Sequence, residues 1–228
     1  MSDTLIDNLK SFNRKERFYL IGQMLGNPEF RMDDNQLDKI SNLIGLTIPR
    51  KYFAAMDYHL DWIYASLYLT KKNTASCVKR NFIEENGIAI DYQISGTQED
   101  VDFLIAFVDH ENTTHIVMIE AKGDSTFSNA QLQSKNERFR AIFYEPEVSA
   151  THSHTKWKSV KAHFLLCSPK KPRKIEITNP VSFMKSDKLM NSWLKLDMGE
   201  DKIKVTRCGK NDSGSYSRWV IEKRTISK

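Results

Sequence analysis

The stretch HIVMIEAK, residues 115–122, limits the possible folds of this chain more than any other. Side chains alternate along a strand, so Ile116, Met118, Glu120 and Lys122 share one face while Val117, Ile119 and Ala121 share the other. Both faces of the run are apolar, which marks an interior strand covered on either side. Such a strand ends by projecting a carboxylate and an ammonium from one face, about 7 Å apart.

The neighbouring segments fit a sheet around it. IAIDYQIS (88–95) and VDFLIAFV (101–108) are rich in β-branched and aromatic residues, and GTQED and DHENTT between the runs are turn chemistry, so a three-stranded meander is expected. Ser128 or Asn129 can cap a helix over 129–143, KAHFLLCS (161–168) reads as a further strand, and DKIKVTRC with YSRWVIEKRT flanks the turn-like GKNDSGS as a hairpin. The first 70 or so residues read as helices. Asn13 and Glu16 have capping-box spacing before a helix over 14–25, and a second helix over 34–44 ends at Gly45. A third and longest helix starts near Pro49, with Phe53, Met56, Leu60, Ile63 and Leu67 as its apolar stripe. Residues 34–59 also fit a helix-turn-helix around IGLT. The expected class is α/β (α+β): an N-terminal helical region over 1–72 packs on a core over 73–228 that ends in the hairpin.

At 228 residues the chain can bury one sizeable core, and 40% hydrophobic with 28% charged residues is ordinary for a globular protein. The net charge of +5 favours a polyanionic partner mildly, but its distribution says more. No acidic residue falls between Glu147 and Glu176, where Lys156, Lys158, Lys161, Lys170, Lys171, Arg173 and Lys174 lie. The same run also suits an ordinary solvated face. Cys77, Cys167 and Cys208 are odd in number and widely spaced, which supports neither a disulfide framework nor a zinc ribbon. Without a signal-peptide core or a membrane-length apolar run, the expectation is a cytoplasmic protein with no membrane partner.

Chemistry points to the end of the 115–122 strand. Asp102 opens the preceding strand, and in an antiparallel pair the start of one strand lies beside the end of the next, so Asp102 and Glu120 should be neighbours. Two carboxylates in one partly buried place repel unless a pKa rises or a cation settles between them. Mg²⁺ (or Mn²⁺) suits Asp102, Glu120 and the Ala121 carbonyl, because it is held by one or two carboxylates plus waters and phosphate oxygens. Lys122 would orient or deprotonate an attacking water, or stabilise developing charge, and the reaction would be phosphodiester hydrolysis. A second E-x-K, Glu200 to Lys202, has no buried strand before it, so the motif alone is worth little and its surroundings carry the weight. The weaker alternative is that Asp102, Glu120 and Lys122 are a structural ion cluster at a sheet end.

DVDFLIAF, then IVMIEAK, then a helix containing NAQLQSK resembles the PD-(D/E)XK superfamily, over roughly residues 87 to 167. The resemblance implies a restriction-endonuclease-like core, with a central mixed sheet flanked by helices. It implies Asp102 and Glu120 as metal ligands, Lys122 as the catalytic lysine and Gln131 as the helix glutamine of the site. Lys135, one turn after Gln131, would touch the same phosphate, with Lys156, Lys158 and Lys161 as further DNA contacts. Members often add an acid from a preceding helix, for which Asp57 and Asp61 are candidates and Glu84 or Glu85 alternatives. Val101 stands where many members have proline. The expected activity is therefore that of a metal-dependent endodeoxyribonuclease of restriction or defence type. The competing expectation is a catalytically silent nucleic-acid-binding or assembly module of the same fold, with a homodimer as one assembly. His152-Ser153-His154 lacks a third metal ligand at a recognisable spacing.

Overall fold

The computed structural model describes residues 3–12, 14–72, 84–85, 88–89, 99–123, 125–144, 157–199 and 203–223. In chain order these form α1 (Asp3–Ser11), α2 (Glu16–Met24), α3 (Asp34–Ile44), β1 (Phe53–His59), α4 (Leu60–Lys72), β2 (Glu84–Glu85) and β3 (Ile88–Ala89). There follow β4 (Asp100–Val108), β5 (Thr114–Ala121), α5 (Asn129–Phe143), β6 (Val160–Ser168), a 3-10 turn (Ser182–Met184), α6 (Ser186–Asn191), β7 (Trp193–Lys195), β8 (Ile203–Lys210) and β9 (Tyr216–Lys223). Five strands make one mixed sheet in the order β1-β4-β5-β6-β7. The β1–β4 and β4–β5 pairs are antiparallel, whereas β5–β6 and β6–β7 are parallel. The chain is thus a mixed α/β protein. No helix among the described residues is long and apolar enough to cross a membrane.

β5 is central, as its two apolar faces require. Ile116 and Met118 join a core with Leu5 and Leu9 of α1, Leu60 and Ile63 of α4, and Leu132 and Phe139 of α5. Val117 and Ile119 face the opposite way into a second core with Ile40 of α3, Ile48, Leu165 and Leu194. Ile116, Val117 and Met118 are wholly buried, and each such side chain contributes about 1.5–3 kcal/mol. The parallel β5–β6 pair needs a crossover, and α5 supplies it on the first face.

Several local expectations change. Residues 53–59 are a strand rather than the start of the third helix, so the apolar stripe begins in β1 and continues in α4. β1 pairs with β4, which makes residues read as N-terminal helix part of the central sheet and leaves no second helix for a helix-turn-helix over 34–59. At Asp57 the backbone is left-handed, φ 50°, and the β1–β4 pairing skips the step between Met56↔Phe103 and Tyr58↔Val101. Ala55 and Tyr58 consequently fall in the same core, which breaks the alternation that would have identified a strand. Of the expected strand 88–95, only 88–89 lie within the described residues, paired with β2. Asn13 and His152 to His154 lie outside them, and the residue capping α2 is Lys15, which makes no side-chain cap bond. α3 spans 34–44 as read, with Gly45 closing it at φ 70°, and the structure adds a cap at its start, where Asp33 accepts from the Gln36 N–H.

A polar cluster fixes the end of the sheet at the β4–β5 turn. Asp109 Oδ1 accepts from the N–H groups of Glu111 (2.9 Å) and Thr113 (2.8 Å), while its Oδ2 lies 2.9 Å from Nε2 of the fully buried His115. His115 Nδ1 is 2.9 Å from His163 Nε2 on β6. With Asp109 ionised, His115 donates from Nε2 and accepts at Nδ1, so His163 donates from Nε2. Burial, reinforced by His115 and by Lys188 and Lys161, pushes the His163 pKa down to about 4. Folded His163 therefore stays neutral while an unfolded histidine takes a proton below about pH 6.5. The unfolded chain binds more protons between about pH 6.5 and 4, so acid destabilises the fold there by up to about 1.4 kcal/mol per pH unit. Replacing His163 by Gln, which keeps a donor for His115, is expected to flatten the fall of urea-unfolding stability across that window. An unchanged pH slope would exclude the assignment.

Candidate active site

At the other end of the same strands the β4–β5 ladder stops at Phe103↔Ile119. One step on, the Asp102 carboxylate takes over from the backbone: its Oδ2 accepts the Ala121 N–H at 2.6 Å. The Lys122 N–H donates to the Cys167 carbonyl at 2.8 Å, extending the β5–β6 ladder and fixing where the Lys122 side chain begins. Ser128 caps α5, which opens beside this strand end.

Glu120 is the hub. It is 3% exposed, and a buried carboxylate is tolerated only when it is paired and hydrogen-bonded. Its Oε1 accepts from Lys122 Nζ at 2.8 Å and from Gln131 Nε2 at 3.0 Å, while its Oε2 lies 3.2 Å from Lys135 Nζ. Gln131 and Lys135 stand four residues apart on α5 and so share a face. Asp102, Glu120, Lys122 and Gln131 are thus gathered at one sheet end, together with the Ala121 backbone.

Lys135 has a different position from the one expected for a phosphate contact. Its ammonium is buried and also donates to the Asp100 carbonyl, so it faces inward and not toward a ligand. Lys158 and Lys161 also lie elsewhere. In the parallel register Lys161 sits beside His115, whereas Leu166 sits beside Glu120, about 17 Å further along the strand. Lys156 is outside the described residues. It is the exposed Lys170, Lys171 and Arg173, in the back half of the acid-free run, that follow the site end of β6. The two acids proposed from a helix flank are both engaged. Asp57 lies on β1 at the register step opposite Asp102, with its Oδ2 2.9 Å from Arg17, and Asp61 pairs with Arg138 of α5. Glu84 and Glu85 form β2.

Glu99 was not singled out from the sequence. It precedes β4, and its carboxyl hydrogen-bonds with Ser134 near Lys135, Arg138 and Glu120. Burial raises its pKa, against the pull of Lys135 and Arg138. The available signal was the Glu99-Asp100 pair directly before an apolar strand, which reads as turn chemistry when taken alone. Asp102 is also shifted up. Burial dominates, the Ala121 N–H opposes it, and the charge on Glu120 adds to it. No group of three or more His, Cys, Asp or Glu among the described residues is arranged to hold an ion, so a metal here would have two carboxylates. Mg²⁺ accepts that number, with the Ala121 carbonyl, waters and phosphate oxygens completing its sphere.

The two acids should respond oppositely to removal. A raised folded pKa means that Asp102 stabilises the fold below its unfolded pKa and loses that contribution as pH rises through the folded one. At pH 7 its ionised form is a net cost, and Asp102→Asn keeps the acceptor for Ala121. Tm is expected to rise at pH 7, with no gain near pH 3. Glu120→Ala instead leaves the buried Lys135 ammonium without its carboxylate and should cost about 3–5 kcal/mol. Differential scanning fluorimetry and urea unfolding read both, and a loss of Tm in Asp102→Asn would contradict the burial argument. Compared with known protein families, curated proteins and solved structures, the chain matches none of them, so its function has to be argued from this geometry.

Proposed function

We propose that this protein is a metal-dependent nuclease with a restriction-endonuclease-like core that hydrolyses DNA phosphodiester bonds. The observation that carries the reading is the convergence on one Glu120 oxygen of Lys122 from the same strand and Gln131 from the next helix, with Asp102 one step beyond the neighbouring ladder. Asp102, Glu120 and the Ala121 carbonyl would hold Mg²⁺ or Mn²⁺. When bound, the ion makes a coordinated water more acidic and offsets charge on the phosphodiester. Gln131 is a positioning residue that fixes the Glu120 rotamer, and Lys135 holds the second Glu120 oxygen from below. Lys122 is the accessible member: partly exposed where Lys135 is buried, it would leave Glu120 Oε1 to orient the attacking water or to meet negative charge on the phosphate. Lys170, Lys171 and Arg173 would supply backbone contacts on the approach to the site, and binding would weaken steeply with salt.

One observation favours the catalytically silent alternative. Both Glu120 oxygens already meet ammonium groups, so the cluster is self-sufficient as a structural ion network. A single experiment separates the two readings. Supercoiled plasmid is incubated with Mg²⁺, Mn²⁺ or EDTA and the wild-type protein, Asp102→Asn, Glu120→Gln or Lys122→Ala. A nuclease cleaves only with metal, and each variant loses at least about 100-fold in rate while plasmid binding by gel shift stays within about threefold. Binding without cleavage in the wild type would leave the silent module standing. Loss of binding in step with cleavage in all three variants would remove the assigned roles.

A further inference from the structure

The N-terminal helices enclose a cleft of about 740 Å³ against the start of β1, at the sheet edge formed by that strand. Its rim carries Lys10, Arg31, Arg50 and Lys51, all exposed, and none of the four is ion-paired among the described residues. Only Glu29 and Asp34 oppose them along the lining. Two aromatic rings face the same space. Tyr19 is 46% exposed, and Tyr52 is held by its hydroxyl, which accepts the Met32 N–H at 2.6 Å. Beneath them Phe18 stacks on Phe30 with centroids 4.3 Å apart and planes 5° from parallel. Arg14 lies over Phe53 and Tyr58, each 4.9 Å away, and bonds to the main-chain carbonyls of Leu9, Phe12 and Lys10. The floor is therefore aromatic and cationic.

We infer that this cleft binds a single-stranded nucleic-acid segment, with bases stacking on Tyr19 and Tyr52 and phosphates meeting Arg31, Arg50 and Lys51. Charge complementarity selects a polyanion, because four unpaired cations face two acids. The rings select unstacked bases. Aromatic platforms interleaved with basic residues are how strands are held without sequence readout, and a base in a duplex has its faces already covered. A cleft of this size fits a ligand of one or two nucleotides. Its use does not depend on the phosphodiester chemistry proposed above, since none of its residues belongs to the Glu120 cluster.

The test is fluorescence anisotropy of a labelled (dT)₂₀ oligonucleotide in EDTA over a range of salt. The proteins are wild type, Arg31→Glu/Arg50→Glu/Lys51→Glu and Tyr19→Ala. All the altered groups of the groove variants are exposed, and circular dichroism checks folding. The triple variant should bind at least tenfold more weakly, with a log–log salt slope shallower by about 2, from roughly 0.7 per lost phosphate contact. Tyr19→Ala should lose roughly tenfold. Absent wild-type binding, an unchanged triple variant, competition by a 20-bp duplex equal to that of (dT)₂₀, or dTMP binding as tightly as the oligonucleotide would each overturn the inference. A wild type that binds (dT)₂₀ in the cleft yet never cleaves plasmid would reject the nuclease reading and leave this one intact.

Discussion

Burial of β5 on both faces is the constraint from which the rest of the architecture follows. A strand with Ile116 and Met118 on one side and Val117 and Ile119 on the other must be covered twice. α1, α4 and α5 do this on one face and α3 on the other, so the helices are distributed by the strand's needs rather than by their own propensities. The strand can stop being apolar only where its cover ends, and there Glu120 emerges, still buried. A carboxylate in that position needs opposite charge. Lys122 comes from the same strand and Lys135 from the helix covering it, so the pairing also fixes how α5 lies against the sheet.

The sheet's mixed direction then separates two polar clusters. β4 enters at the Glu120 end and leaves at the His115 end, and β5 returns the other way. Because β6 runs parallel to β5, it too starts beside His115 and finishes beside Ala121. The basic run is thereby divided between opposite ends of the sheet, Lys161 at one and Lys170 following the other. The two clusters differ in character. Asp109, His115 and His163 form a chain in which both nitrogens of the buried His115 have a partner, which suits a structural role. At the other end Asp102 and Glu99 are held above their ordinary carboxyl pKa by burial, which signals groups placed against their own electrostatic preference.

How much of this was legible follows from how locally each signal was written. β4, β5, β6, α3 and α5 were readable because their patterns are uninterrupted and the end signals Gly45 and Ser128 lie adjacent in sequence. The neighbourhood of Asp102 and Glu120 was readable because an antiparallel turn dictates it. β1 was not, since Phe53, Met56 and Leu60 recur at helical intervals while the left-handed Asp57 reverses the strand's faces at the point where alternation should have shown. α1 escaped because its partner surface on α4 lies some fifty residues away. Glu99 and the inward turn of Lys135 depend on where α5 crosses β4, a tertiary fact with no local trace. The division of the basic run depends on strand direction, which periodicity does not encode.

Formal charge offers a last reason to regard the Glu120 cluster as more than a structural ion network. Glu99, Asp102 and Glu120 face Lys122 and Lys135, while Asp61 and Arg138 offset each other. With all three ionised, three acids against two lysines leave one negative charge, and burial holds two of those acids, Asp102 and Glu99, above their ordinary pKa. A divalent cation together with one phosphodiester adds one positive charge in total and brings the set to neutrality. Lys122 would then exchange the Glu120 carboxylate for the phosphate without leaving either charge unmet. On the nuclease reading proposed above, a network short of one positive charge, with its more exposed cation on the shared oxygen, would admit the metal and the phosphodiester together.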